Sequence, residues 1–284
     1  FCDNIVVLKE TTSNLFHKSF FGKIDQLIGP VELQENRNEI FEELKPELLI
    51  TLGGMIVSKK IKSMLREHRP KSHIHLGLNT FNDTFYCNVD HYNGSPNAFF
   101  EIMLAKLKSN SFYKKTWKEL ASIRNSFHRK YINKIPFCDL KVFSILESKI
   151  PPRYSLQVSN SSAIRYMQLF DQAPKSTVFC NRGTSGIDGS TSTALGASLY
   201  LKCPTLLITG DLSFFYDSNG LWNNYIKNDF RIIIINNSGG GNFKILPGYE
   251  NSLYHEKFIE TRHDLTAQQL AQMHGFKYSK VYGN

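Results

Sequence analysis

The chain has 284 residues, 41% of them hydrophobic and 21% charged, with a formal net charge of +9 at pH 7. This composition supplies enough apolar material for one large or two ordinary domains, and it excludes a chain that is disordered by composition. The longest apolar runs are too short to cross a bilayer, so no integral membrane segment is predicted. The positive charge favours anionic partners. Without a zinc-finger spacing or an RNA-binding aromatic motif, however, it does not predict nucleic-acid binding.

The cysteines are scattered along the chain and show no C-x-x-C spacing. Their arrangement therefore indicates neither a zinc site nor a disulfide framework. The first ten residues also lack the basic and long apolar regions of a signal peptide, so a cytoplasmic location is expected. The cysteines are Cys2, Cys87, Cys138, Cys180 and Cys203.

The first half of the chain is predicted to form a small α/β domain. Residues 46–52 resemble a short buried strand, and Gly53 and Gly54 provide the turn that follows it. A second strand is predicted at Ser72–Leu76. Helices are predicted at 58–66, 97–108 and 114–150, the last with a break near Pro136.

The second half has strands of continuous apolar residues that alternate with helices, a pattern typical of a parallel sheet covered on both faces. Pro151 and Pro152 mark the predicted boundary between the two halves. The predicted fold is therefore α/β, with two doubly wound parallel-sheet domains at 1–150 and 151–284. Strands are predicted at 177–180, 205–209 and 231–235, helices at 161–170 and 193–200, and a Gly/Ser/Thr-rich turn at 183–192.

Polar residues follow two of the predicted strands. Asp211 comes directly after the strand at 205–209 and its Gly210, and Asn237 follows the strand at 231–235. Ligands of open α/β sheets bind at the carboxyl ends of strands, and carboxylate and amide oxygens suit Mg²⁺. Gly239 and Gly240 allow close approach of the backbone. Alternatively, Asp211 is a helix N-cap and Asn237 belongs to a plain turn.

Three sequence blocks resemble one known family. Gly-Asp-x followed by 24 residues and Asn is similar to the cofactor motif of thiamine-diphosphate enzymes, although Leu212 stands where glycine is usual. Residues 181–196, 210–220 and 240–248 resemble the 2-succinyl-5-enolpyruvyl-6-hydroxy-3-cyclohexene-1-carboxylate synthases of menaquinone biosynthesis. Asn242 departs from that family, which usually has an apolar residue there.

The resemblance implies a cofactor and the residues that hold it. Thiamine diphosphate would be bound through Mg²⁺ or Mn²⁺, with Asp211, the Asn237 side chain and the Gly239 carbonyl as metal ligands. Ile187 would be the apolar residue that bends the cofactor. The other cofactor-binding residues would be Asn160, Gly210 and Gly240.

The resemblance also implies decarboxylation of 2-oxoglutarate and addition of the resulting succinic semialdehyde carbanion to isochorismate. Both substrates are dicarboxylates, for which arginine is well suited. The implied substrate-binding residues are Ser161, Arg165, Arg182, Lys59, Lys60, Phe243 and Leu246. For the two lysines, an alternative interpretation is a solvated helix start.

By the resemblance, 1–150 is the middle Rossmann-like domain and 151–284 is the diphosphate- and metal-binding domain, expected to be truncated at its carboxyl end. The family's activating glutamate comes from an earlier pyrimidine-binding domain, so no catalytic residue is assigned in this chain. A homodimer or dimer of dimers is expected. Alternatives are another thiamine-diphosphate 2-oxoacid lyase or synthase, or an inactive cofactor-binding fragment. A dinucleotide-binding enzyme is a further alternative. The sequence does not support it, because no G-x-G-x-x-G motif follows a strand with an acidic residue downstream.

Overall fold

A computed structural model describes residues 3–78, 82–104, 112–171, 176–245, 248, 250 and 252–283. The chain divides into two compact units, Phe1–Lys134 and Ile135–Asn284. This division falls earlier in the chain than the predicted boundary between residues 150 and 151. The reason is that the helix Asp139–Lys149 packs within the second unit, where the Phe143 ring lies 5.6 Å from that of Tyr166. Within the described ranges, every helix is too short or too polar to cross a membrane.

The first unit contains a three-stranded parallel sheet in the order β1-β2-β3, whose strands are Leu48–Leu52, Ser72–Leu76 and Val89–Tyr92. The two strands predicted in this region are confirmed, whereas β3 was not predicted. The helices of the unit are α1 (Ile24–Ile28), α2 (Arg37–Leu44), α3 (Lys59–Glu67), α4 (Pro96–Leu104) and α5 (Tyr113–Lys134), with short 3-10 helices at Thr11–Ser13 and Gly29–Leu33.

Helix α3 shows why these elements form. The Ser58 side chain accepts a hydrogen bond of 3.1 Å from the Ile61 N–H, which satisfies a donor of the first turn. Ile61, Met64 and Leu65 then follow at the spacing of one helix face, and all three are buried. They pack into a core that also contains residues of α1, α2 and α5, including Trp117.

In the described part of the second unit, the strands and α-helices number nine. They are α6 (Asp139–Lys149), β4 (Ser155–Val158), α7 (Ser162–Met167), β5 (Thr177–Cys180), α8 (Ser190–Tyr200), β6 (Thr205–Gly210), α9 (Asp211–Tyr216), β7 (Phe230–Ile235) and α10 (Gln268–Met273). Short 3-10 helices lie at Ser218–Leu221 and Gly241–Ile245, and a π-helix lies at His255–Ile259.

The four strands of this unit form one parallel sheet in the order β5-β4-β6-β7. The structure confirms the three strands predicted in this half, at 177–180, 205–209 and 231–235. It also confirms the predicted helix break, which lies between α5 and α6. Strand β4 was not predicted. The two parallel sheets confirm the predicted α/β fold class. Because all four strands run in the same direction, the residues that follow them are brought to one edge of the sheet.

Candidate functional site

The candidate site of the second unit lies at the carboxyl edge of its sheet. Asn160 follows β4, Arg182 follows β5, Asp211 follows β6 and Asn237 follows β7. Hydrogen bonds link these loops to one another, as described below. The fold therefore brings these four predicted residues, which are far apart in the sequence, to one edge of the sheet.

Asp211 is the buried residue of the site. Its carboxylate accepts the Leu212 N–H at 2.7 Å and the Gly239 N–H at 3.1 Å, so the end of β6 is joined to the loop after β7. The His263 Nε2 lies 3.3 Å from Oδ2 of Asp211, and the side chain of Asp211 is only 3% exposed. Nδ1 of His263 accepts the Leu265 N–H at 3.1 Å. The nitrogen near Asp211 is therefore the one that carries the proton in a neutral ring.

Asn237 is exposed, and its amide is held in one orientation. Its Nδ2 donates to Oδ2 of Asp139 at 2.7 Å. The amide oxygen is then the atom left to face a cation. Burial raises the pKa of Asp139, the negative charge of Asp211 raises it further, and the hydrogen bond from Asn237 lowers it. Asp139 was not among the predicted site residues, because it lies 98 positions before Asn237.

The loop after β7 requires glycine. Gly239 has a φ of +146°, and a Cβ atom there would lie 2.8 Å from the carbonyl oxygen of Glu260. Gly240 donates its N–H to the same oxygen at 2.6 Å. A Cβ atom at Gly240 would lie 3.1 Å from the ring of Phe243. The two glycines therefore let this loop pack directly against the segment around Glu260.

Asn160 connects the loops after β4 and β5. Its Oδ1 accepts a hydrogen bond of 2.6 Å from Nη1 of Arg182. Its Nδ2 donates to the carbonyl oxygens of Ser185 and Gly186, the latter at 3.2 Å. Nε of Arg182 is buried and has no hydrogen-bond partner among the described residues. Because such a donor is costly when left unsatisfied, it is suited to an anionic ligand.

Ile187 lies half-buried in the loop before α8. The Ser213 hydroxyl donates to its carbonyl oxygen at 2.5 Å. Since Ser213 belongs to α9, two residues after Asp211, this bond ties the loop of Ile187 to the helix that begins at Asp211.

The remaining predicted residues are placed as follows. Ser161 has a φ of +70° at the start of α7, and Arg165 lies half-buried within that helix. Phe243 is 40% exposed, which leaves its ring open to a ligand. A Cβ atom at Gly210 would meet no described atom within 4 Å. Leu246 lies outside the described residues.

Lys59 and Lys60 belong to the first unit, where they begin α3. Lys59 is exposed, and Lys60 forms an ion pair with Glu32. This ion pair gives Lys60 a role within its own unit. The predicted role of both lysines in substrate binding stays a prediction.

The residues at the sheet edge fit a divalent cation. The carboxylate of Asp211 and the amide of Asn237 offer hard oxygen donors, the type that Mg²⁺ prefers, and the carboxylate of Asp139 lies beside Asn237. In the described part of the chain, neither carboxylate forms an ion pair with Lys or Arg. A cation would therefore supply the charge that balances them. A parallel α/β sheet with such a cluster and a glycine loop at its carboxyl edge defines a candidate cofactor-binding domain.

Comparison with known proteins shows which proteins this chain is similar to. No protein-family model matches the chain. The chain is 50% identical over 279 residues to the 2-succinyl-5-enolpyruvyl-6-hydroxy-3-cyclohexene-1-carboxylate synthase of Christiangramia forsetii, which covers 98% of this chain and 48% of that protein. It is 48% identical over 280 residues to the synthase of the same name from Flavobacterium johnsoniae, covering 98% and 50%. It is 35% identical over 253 residues to the synthase of the same name from Porphyromonas gingivalis, and the match covers 84% of this chain and 44% of that protein.

These matches confirm the resemblance found in the sequence: the chain is a relative of the 2-succinyl-5-enolpyruvyl-6-hydroxy-3-cyclohexene-1-carboxylate synthases. The chain spans about half the length of the curated relatives it matches.

Proposed function

We propose that this chain is part of a thiamine-diphosphate-dependent synthase that decarboxylates 2-oxoglutarate and joins the remaining four-carbon unit to isochorismate. The observation that carries the proposal is the meeting of Asp211 and the Asn237–Gly239 loop at one sheet edge, in a chain 50% identical to such a synthase. The second unit, 135–284, would hold the cofactor. The first unit would be the middle domain.

In this proposal the cation, Mg²⁺ or Mn²⁺, is held by oxygen atoms of the second unit. The ligands are the Asp211 carboxylate, the amide oxygen of Asn237 and the carbonyl oxygen of Gly239. Such a cation keeps few protein ligands and takes the others from phosphate and water. The hydrogen bond of Gly239 N–H to Asp211 supports the assignment, because it holds two of these ligands together.

Thiamine diphosphate, when bound, supplies a thiazolium carbon that accepts the electron pair released by decarboxylation. The residues of the chain position this group and its substrates. Ile187 would support the bend of the cofactor, and its carbonyl is fixed by Ser213. Asn160, Gly210 and Gly240 would line the cofactor, with Asn160 holding the backbone of the Ile187 loop through Ser185 and Gly186.

The positive side chains of the site would bind the substrate carboxylates. Arg182 already donates Nη1 to Asn160, which orients the guanidinium and leaves Nε for a carboxylate oxygen. Arg165 and Ser161 would contribute from the first turns of α7, and Lys59 and Lys60 from the first unit. Phe243 and Leu246 would form apolar walls. Excess positive charge offsets the four carboxylates of the two substrates.

Two further parts of the proposal concern the whole protein. The activating glutamate would come from outside this chain, and the active protein would be a homodimer or a dimer of dimers. Its location would be cytoplasmic, in keeping with cysteines that are scattered and free where they are described. In an alternative proposal, these residues alone form a cofactor-binding part without turnover. It is favoured by the chain spanning about half the length of its relatives.

The test is to measure thiamine-diphosphate binding and product formation with the full-length protein. Asp211→Ala should abolish Mg²⁺-dependent binding of thiamine diphosphate in isothermal titration calorimetry, because the buried metal ligand is lost. The matched control is Asp229→Ala, which removes an exposed carboxylate in the loop before β7. If Asp211→Ala binds the cofactor as the unchanged protein does, the metal assignment is wrong. If the unchanged protein binds no thiamine diphosphate, the proposed function is wrong.

A further inference from the structure

A second group of metal-ligating side chains lies in the first unit. It consists of His73 on β2 and of Asp83 and Cys87 in the segment between β2 and β3. One ligand atom from each residue lies within 4.8 Å of the other two. None of the roles proposed above uses these three residues.

His73 is the fixed member of the group. The residue is 2% exposed, and its Nε2 lies 2.8 Å from the Thr51 hydroxyl oxygen on the neighbouring strand β1. That hydroxyl also lies 3.0 Å from Nδ1 of His75. When Nε2 of His73 carries the proton and donates it to Thr51, the hydroxyl proton is left for His75. Nδ1 of His73 then keeps a lone pair.

This lone pair has no hydrogen-bond donor among the described residues, although Nδ1 of His73 is buried. Since Nε2 is engaged by Thr51, Nδ1 is the nitrogen available to Asp83 and Cys87. A metal-ligating imidazole typically binds the metal through one nitrogen and a fixed polar group through the other. In His73, Nε2 contacts the fixed polar group, Thr51, and Nδ1 is left for a metal. A buried acceptor in a group that also contains a carboxylate and a thiol can be satisfied by a cation.

Asp83 and Cys87 are held next to each other by backbone hydrogen bonds. Oδ1 of Asp83 accepts the Cys87 N–H at 3.1 Å, and Oδ2 accepts the Asn88 N–H at 3.1 Å. The Tyr86 N–H is a further backbone donor to this carboxylate. Because a carboxylate offers about four lone-pair sites, one remains for a ligand. The buried ring of Phe85 lies edge-on to His73 at 5.4 Å and shields this side of the group.

We propose that His73, Asp83 and Cys87 bind a borderline transition-metal ion, Zn²⁺ above all, through Nδ1, a carboxylate oxygen and the thiolate. Imidazole and thiolate select such ions over Mg²⁺, and three protein ligands leave a fourth position for water. A thiolate and a carboxylate together balance the double charge of the ion. The ion would join strand β2 to the segment that leads into β3.

This site differs in chemistry from the one at the sheet edge of the second unit. There the donors are hard oxygens, whereas here nitrogen and sulfur dominate. The spacing of Asp83 and Cys87 is not a C-x-x-C or similar pattern, so the sequence indicated no zinc site. The ligands come together because Thr51 of β1 contacts His73 and because the Asp83 carboxylate accepts the backbone N–H groups of Cys87 and Asn88. The inference does not depend on the proposed function.

The test uses Co²⁺ as a spectroscopic probe in the full-length, metal-depleted protein. We expect tetrahedral ligand-field bands and a thiolate-to-cobalt charge-transfer band, both removed by competing Zn²⁺. Cys87→Ser should lose the charge-transfer band, whereas Cys203→Ser, which changes a half-buried cysteine of the second unit, should keep it. Asp83→Asn should weaken Co²⁺ binding by at least ~10-fold. Asp211→Ala should keep the band, which separates this site from the proposed cofactor cation.

X-ray absorption at the zinc edge of the unchanged protein gives a readout that needs no variant. We expect one sulfur and one imidazole in the shell around the ion. A shell of oxygen atoms alone would overturn the proposal. So would the absence of a charge-transfer band in the unchanged protein, or a band that persists in Cys87→Ser.

Discussion

Two of the three ligands proposed for the cofactor cation, Asn237 and Asp211, have a further residue beside them. Asp139 accepts the Nδ2 hydrogen bond of Asn237, and His263 faces the Asp211 carboxylate. Such outer partners commonly influence affinity almost as strongly as the ligands themselves. The orientation of Asn237 matters in particular, because only its amide oxygen can bind a cation, and the side chain is exposed.

Replacing Asp139 therefore tests the orientation of Asn237. Asp139→Ala removes the acceptor, so the amide can rotate, and we expect the affinity for thiamine diphosphate with Mg²⁺ to fall by ~10-fold to ~100-fold. Asp139→Asn keeps an oxygen acceptor and should retain most of the affinity. Isothermal titration calorimetry of the full-length protein measures both variants. Equal losses in the two variants would show that the charge of Asp139, rather than its hydrogen bond, is what matters.

Arginine and lysine differ at a carboxylate-binding position, and Arg182 provides the test. Arg182→Lys keeps the charge but loses the planar fork and the Nη1 bond to Asn160. We expect kcat/KM for 2-oxoglutarate to fall by roughly 10-fold or more, while cofactor affinity is unchanged. Arg153→Lys, at an exposed position before β4, is the control. Steady-state kinetics of the full-length protein equal to those of the control would place Arg182 outside the substrate site.

At the level of single residues, the sequence predicted that Asp211 and Asn237 meet, but not which residues contact them. Asp211 and Asn237 could be predicted because each follows an apolar strand, and parallel strands end at one edge. Asp139 and His263 have no such signal. One begins a helix 98 positions before Asn237, and the other lies in irregular backbone after the π-helix. Their proximity to the ligands is a result of tertiary packing, which no local pattern encodes.

Among the elements, strands with mixed composition were the ones that the sequence did not reveal. Strand β4 is fully buried, yet it contains Ser155 and Gln157, and the Gln157 side chain donates to the Ser155 hydroxyl at 3.1 Å. The two polar side chains thus satisfy each other inside the sheet. By composition the segment resembles a loop, whereas the Leu- and Ile-rich strand β6 could be recognised directly.

A half-buried tyrosine, Tyr113, joins helix α5 to α2. The Tyr113 hydroxyl donates to the Leu44 carbonyl oxygen at 2.8 Å, and Leu44 is fully buried. Tyr113→Phe leaves this carbonyl without that donor, so we expect a loss of about 1 kcal/mol in the free energy of unfolding at neutral pH. Tyr131→Phe is the matched control, because Tyr131 lies on the same helix and is 59% exposed. Chemical denaturation measures both.

The same tyrosine gives a pH dependence of known sign. Burial raises the pKa of Tyr113 from 10.0 to about 12. The unfolded chain therefore loses this proton near pH 10.0, while the folded chain keeps it, and stability falls as the pH rises through this window. The stability difference between the unchanged protein and Tyr113→Phe should be constant below pH 10.0 and shrink above it. A difference that grows with pH would contradict the raised pKa of Tyr113.

At the scale of the whole molecule, the proposed function bears on what these residues can do alone. The synthases that it matches are about twice as long. In the proposed function, the diphosphate is held by the second unit, while the pyrimidine of the cofactor and the activating glutamate belong to a further domain. Residues 1–284 would then contribute only some of the contacts that hold the cofactor.

We therefore predict that the isolated 284 residues bind thiamine diphosphate weakly or not at all, and form no product from isochorismate and 2-oxoglutarate. The reason is that the cation site supplies only the diphosphate contacts, and positioning of the reacting atoms requires both ends of the cofactor to be fixed. Calorimetry and a decarboxylation assay compare these residues with the full-length protein, which should bind the cofactor and turn over. If the isolated residues decarboxylate 2-oxoglutarate at a comparable rate, a group within 1–284 performs the activating step, and the glutamates of this chain become the positions to substitute.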